Sequence, residues 1–211
     1  MPLTGPSDID EALQKVGELL ALEKAAYAIV VAGGAALNLL GLIERVTRDV
    51  DILAFAQLVG GEPTELVEAP RLLPEPLFRV ARTVARDLGL QDEWLNTNLA
   101  PQWDLGLPPD LLQRVRWRRY AALQVGLVDR QDLIFLKLFA AADWERQGSV
   151  RSVHYQDLVA LKPSADELEA ATAWVSTQEA SPEFPAILEK VVSDVRNDLR
   201  FNNRAEPERT R

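Results

Sequence analysis

The stretch that most constrains this chain runs from Tyr27 to Ala54 and reads YAIVVAGGAALNLLGLIERVTRDVDILA. Residues 27–32 are a continuous apolar run rich in β-branched side chains and closed by Gly33-Gly34, which predicts a buried strand and a tight turn. The pattern then predicts a short helix over 35–41 and a second buried strand from Val50 to Phe55. Glycine lets backbone approach a ligand closely, and a helix start behind the turn offers N–H groups suited to phosphate oxygens. A Gly-Gly turn alone is better explained as a tight strand-to-helix connection. Asp49 and Asp51 add a second constraint. Residues i and i+2 of a strand face the same side with Cα atoms roughly 6.5–7 Å apart. Two such carboxylates can converge on metal ions, which lie about 3.5–4 Å apart in two-metal phosphoryl transfer. Val50 and Ile52 point the other way, into the core. The competing reading is a pair of solvent-facing acids at a strand end.

Composition narrows the setting. The chain has 211 residues, 47% of them hydrophobic, enough for one generous domain or two small ones with an ordinary core. It has no cysteine and one histidine, His154, so disulfides, thiolate chemistry and multi-histidine metal sites are excluded within the chain. No apolar run reaches the roughly 18 residues of a membrane span, and the first residues carry no signal-peptide pattern, so the expected setting is the cytoplasm, away from membranes. A net charge of −9 argues against a protein that coats nucleic acid non-specifically. Only five of the 23 basic residues are lysines (Lys15, Lys24, Lys137, Lys162, Lys190), so each lysine's place carries information.

Along the rest of the chain, Ser7 is placed to cap a helix over Asp8 to about Lys24. Residues 60–76 hold four prolines and two glycines and are expected to be irregular, as is 91–113. Residues 77–90 have helical spacing. The segment 114–128 alternates well enough to predict one strand. Helices are expected over 130–146, 153–161, Ala165–Thr177 and Pro182–Leu199. The domain reading is a core over 1–162, packed helices over 163–201 and a disordered tail over 202–211.

The pattern formed by Gly33, Gly34, Ala36, Leu39, Gly41, Arg45, Thr47, Asp49 and Asp51 resembles the signature of the nucleotidyltransferase superfamily related to DNA polymerase β. In particular it is similar to small bacterial nucleotidyltransferase-like proteins and to AbiEii-type nucleotidyltransferase toxins. The resemblance implies an α/β (α+β) fold: a small mixed sheet backed by helices, with a helical C-terminal part. It implies that Gly33, Gly34, Arg45 and Thr47 bind the triphosphate of a nucleotide such as ATP, and that Asp49 and Asp51 hold Mg2+ or Mn2+. It also implies a possible antitoxin as partner, and polymerase-like members use a third carboxylate on a neighbouring strand as base. The expected strand 117–128 contains no acid; Asp104 and Asp129 are the nearest alternatives.

Lys137 stands alone in an otherwise apolar segment, and burying an unpaired ammonium is costly, so it needs an anionic partner. That partner is a carboxylate such as Asp49 or Asp157, or a nucleotide phosphate, in which case Lys137 joins the catalytic set. Asp132, Leu133, Lys137, Leu138 and Ala140, then Arg151, Asp157, Leu158 and Leu161, match a second segment of the same relatives, whereas His154 departs from it. Arg116, Arg118 and Arg119, interleaved with Trp117 and Tyr120, are candidates to bind an RNA acceptor such as transfer RNA. The alternative is an edge strand whose arginines pair with surface acids. Two functions follow: metal-dependent nucleotidyl transfer to a hydroxyl of an RNA, protein or small molecule, or an inactive module that binds a nucleotide or partner protein.

Overall fold

The computed structural model describes residues 3–148, 150–178 and 181–205, which form two compact units, one up to Asp129 and one from Arg130. The core expected over 1–162 takes in the whole first unit and the start of the second. Only Val128 and Asp129 separate the last strand of the first unit from the next helix, so no composition shift marks the boundary.

The first unit is a mixed sheet backed by helices. Helix α1 (Pro6–Leu22) leads into β1 (Tyr27–Ala32), the turn and short helix α2 (Gly33–Leu39), and β2 (Val50–Val59). β2 continues into β3 (Glu62–Glu68), followed by α3 (Glu75–Leu88), the two-residue β4 (Leu95–Asn96), and the short helices α4 (Gln102–Leu105) and α5 (Leu111–Arg114). β5 (Arg116–Tyr120) and β6 (Leu123–Leu127) complete it. The order is β3-β2-β1-β6-β5, with β4 also on β2; β1 and β6 run parallel, as do β2 and β4, and the other pairs are antiparallel. β1 is buried along nearly its whole length, as its apolar run requires.

Three expectations need correction. Helix α1 starts at Pro6 with Gly5 as its cap, so Ser7 lies inside the first turn; Thr4 donates from its backbone and its hydroxyl to Asp8 instead. Residues 60–76 are not wholly irregular. Gly60 and Gly61, at φ +62° and +86°, make the two-residue turn of a β2–β3 hairpin, and Pro63 is tolerated because β3 is an edge strand. The single strand expected over 114–128 is a hairpin, β5 and β6, which turns at Ala121 with φ +50°. Gly17 lets α1 lie directly on this turn: an added Cβ would stand 1.6 Å from the Tyr120 carbonyl oxygen.

The second unit contains α6 (Arg130–Arg146), α7 (Val153–Ala160), α8 (Ala165–Val175) and α9 (Phe184–Ala205). Ser164 and Glu167 form a capping box at α8, and Arg130 also donates to Glu167. Those bonds, the one from Arg130 foremost, hold the Glu167 carboxyl below its usual value. α9 carries helix to Ala205, past the expected boundary at 201, and the remainder of the expected tail, 206–211, lies outside the described residues. Among the described residues no helix is long and apolar enough to cross a membrane.

Candidate functional site

The site is built on the end of β1 and the start of β2. Ala32 pairs with Asp51 across the two strands, so the turn that follows β1 is delivered beside the Asp51 carboxylate. Gly33 has φ +69°, a region other residues occupy only with strain, and an added Cβ would stand 3.0 Å from Asp51 Oδ2. At Gly34 the crowding comes from side chains. A Cβ there would lie 2.9 Å from both Arg45 Nη2 and Thr47 Oγ1. The glycine turn therefore has a carboxylate against its first residue and a guanidinium and a hydroxyl against its second.

The segment 45–49 between α2 and β2 has no regular structure, yet it is pinned at three points. Asn38, 1% exposed, donates from Nδ2 to the carbonyls of Gly34 and Arg45, both at 2.9 Å, and accepts from the Arg45 N–H at 3.2 Å. Leu3 exchanges two backbone hydrogen bonds with Thr47, at 2.9 and 3.0 Å. Gln91 donates from Nε2 to the Arg48 carbonyl at 2.9 Å. Thr47, itself buried, donates from its hydroxyl to the Asp49 carbonyl at 3.2 Å. A loop held this way keeps Arg45, Thr47 and Asp49 in place before any ligand arrives, which lowers the ordering entropy a ligand must offset. Leu3, Asn38 and Gln91 escaped the sequence reading. The one available signal was Asn38, a polar side chain inside an apolar helix and so in need of partners.

Asp49 and Asp51 are both half-buried, with Asp51 on β2 and Asp49 in the loop just before it. Two carboxylates fit Mg2+, which is commonly held by one or two carboxylates with phosphate oxygens and water completing an octahedron. Among the described residues no cluster of three or more histidine, aspartate and glutamate side chains could hold a metal. The strands next to β2 are β1, β3 and β4, so the segment 117–128 is not its neighbour. On β4 the residue in register with Asp51 is Asn96, whose amide donates to the Glu93 carbonyl at 3.3 Å and accepts from the Asn98 N–H at 2.8 Å.

Lys137 belongs to the second unit, where its Nζ donates to Asp157 Oδ2 at 2.7 Å with both side chains buried. His154 has its ring 5.8 Å from that of Trp144. Arg116, Arg118 and Arg119 are on the edge strand β5, and each reaches an acid of the first unit: Asp129 at 2.9 Å, Asp10 at 3.3 Å and Glu62 at 2.8 Å. Tyr120 also donates to Asp10; burial first, and this bond second, push its hydroxyl up to about 12.

No family model matches the chain, and no curated protein matches it. Among solved structures it is similar to an antigenic nucleotidyltransferase-like protein from Paracoccidioides brasiliensis, with 17% identity over 95% of each chain and a TM-score of 0.45.

Proposed function

We propose that the first unit binds a nucleoside triphosphate with Mg2+ and transfers its nucleotidyl group to a hydroxyl. The observation that carries this reading is the convergence on one glycine turn of the Asp51 carboxylate, the Arg45 guanidinium and the Thr47 hydroxyl, in a loop already pinned in place. In this reading Gly33 and Gly34 bring backbone close to the phosphates because neither carries a Cβ. Thr47 supplies a hydroxyl there. Arg45 offsets negative charge developing on the departing pyrophosphate, the kind of fixed cation that contributes most in phosphoryl transfer. Asp49 and Asp51 would hold Mg2+, which when bound supplies charge neutralisation at the phosphate oxygens. Lys137 has no role in this proposal, since Asp157 engages it within its own unit.

A second reading, a module that binds nucleotide without turnover, is favoured by Asn96. It stands in register with Asp51, where an acid would have added a third carboxylate, and its amide is committed to neighbouring backbone groups.

The test is incubation with Mg2+, each labelled nucleoside triphosphate, total RNA and total protein, using the native chain and an Asp49→Asn/Asp51→Asn variant. Nucleotidyl transfer predicts label on an acceptor with the native chain only. Label on RNA would bring in the transfer-RNA and toxin–antitoxin readings, for which the paired arginines of β5 lend no support. Equal labelling by both proteins, or none at all, removes the enzyme reading.

A further inference from the structure

Of the three ties on the 45–49 loop, two come from residues in or just after a helix: Asn38 lies in α2, and Gln91 follows α3. The third comes from ahead of α1. Leu3 accepts from the Thr47 N–H at 3.0 Å and donates to the Thr47 carbonyl at 2.9 Å, an antiparallel bridge that engages both backbone groups of the residue whose hydroxyl stands against Gly34. Two isolated hydrogen bonds would open readily in water. Leu3 is held more firmly, because its side chain is 1% exposed and belongs to the core.

The tether behind Leu3 is short and stiff. Thr4 donates from its N–H to Asp8 Oδ2 at 2.8 Å and from its hydroxyl to the same oxygen, Gly5 is extended at φ −177°, and Pro6 opens α1. α1 is itself fixed by a buried face of Ile9, Ala12, Leu13, Val16 and Leu20. Leu3 therefore reaches Thr47 with little conformational freedom left to lose. From Thr47 the effect divides. Its hydroxyl lies against the glycine turn and donates to the Asp49 carbonyl at 3.2 Å, so a shift of Thr47 moves that hydroxyl and a proposed Mg2+ ligand together. Asp51 is insulated from this movement by its pairing with Ala32 and Asn96 in the sheet.

We propose that Leu3 is a positioning residue for the triphosphate site: its seat on Thr47 and occupancy of the site by triphosphate with Mg2+ are coupled, each favouring the other. The inference rests on the triphosphate-binding step of the proposed function and needs neither acceptor nor turnover. Coupling between two sites is reciprocal. If an unseated Leu3 weakens the hold on triphosphate, bound triphosphate must hold Leu3 in its seat by the same factor. A leucine that merely filled the core would stabilise the fold without this mark, because its local opening would be indifferent to the ligand.

Two measurements on the full chain test this. The first is calorimetric titration of ATP, GTP, CTP and UTP with Mg2+ into the native chain, Leu3→Asp and Leu3→Met. Leu3→Asp puts a carboxylate where burial excludes it and should weaken triphosphate binding about tenfold or more, a factor within the range of coupling between sites. Leu3→Met keeps an apolar side chain of similar volume and should bind within about threefold of the native chain. The second is amide hydrogen exchange on the native chain, with and without the triphosphate that binds it. Exchange at the Leu3 amide should slow about tenfold or more with ligand, while amides of α8 that exchange by local opening should not change. If the native chain binds no triphosphate, the parent reading fails, and this one with it. If it binds, but Leu3→Asp binds equally well or exchange at Leu3 ignores the ligand, this inference alone is overturned. Should Leu3→Asp fail to fold, shown by loss of protection along β1, the exchange measurement on the native chain decides by itself.

Discussion

Asn38 decides more about the site than its lack of chemistry suggests. Its amide makes three hydrogen bonds, one to the first turn of α2 and two to the backbone of Arg45, so it ties the glycine turn to the residue whose guanidinium lies against it. Asn38→Ala would leave these backbone groups short of partners at a buried position. The expected loss is about 2 kcal/mol in denaturant-induced unfolding, given roughly 1–3 kcal/mol for each buried group deprived of its partner and partial relief by water at the loop. A change under about 0.5 kcal/mol would show that the amide does not clamp the loop, since that is the ordinary scatter of surface substitutions. At this scale the sequence was legible where a residue type has few alternatives. Gly33 takes a left-handed φ that glycine favours, the Gly33-Gly34 pair is plain in the letters, and so is the i, i+2 spacing of Asp49 and Asp51. Leu3 and Gln91 act through bonds to backbone that span 44 and 43 positions, and nothing local announces such contacts.

Among the elements, strands and helices with clear periodicity fell where the pattern put them: β1 over 27–32, α6 over 130–146, and α3 close to 77–90. The two hairpins were missed for opposite reasons. At β2–β3 the Gly60-Gly61 turn was visible but was outweighed by the prolines that follow, although Pro63 is compatible with an edge strand. At β5–β6 the turn residues are alanines, and Ala121 takes a left-handed φ with no compositional warning. In the second unit, Lys137 of α6 and Asp157 of α7 form a buried pair at 2.7 Å. Removing one partner deprives a buried charge of its counter-ion, so Lys137→Met should destabilise the protein by about 3–5 kcal/mol, whereas Lys137→Met with Asp157→Leu should recover most of that loss. Chemical denaturation of the two variants measures the difference. Equal destabilisation by both would mean that the pair does not act as a unit.

For the whole molecule, the charge of −9 and the pairing of Arg116, Arg118 and Arg119 with acids both point away from broad contact with nucleic acid. The guanidinium that lies against the glycine turn is that of Arg45, at Gly34. The division at Asp129 separates the unit that holds this turn from the one that holds Lys137. The residues pinned around Gly33 and Gly34 all lie in the first unit, so binding of triphosphate with Mg2+ is the property on which every other proposal depends. Calorimetric titration of the four nucleoside triphosphates tests it directly, with Mg2+ and with chelator, into the native chain and Asp51→Asn. Saturable binding of at least one triphosphate is predicted, abolished by chelator and weakened at least about tenfold in Asp51→Asn, equivalent to roughly 1.4 kcal/mol. Binding of none of the four, or equal binding by the variant, contradicts it.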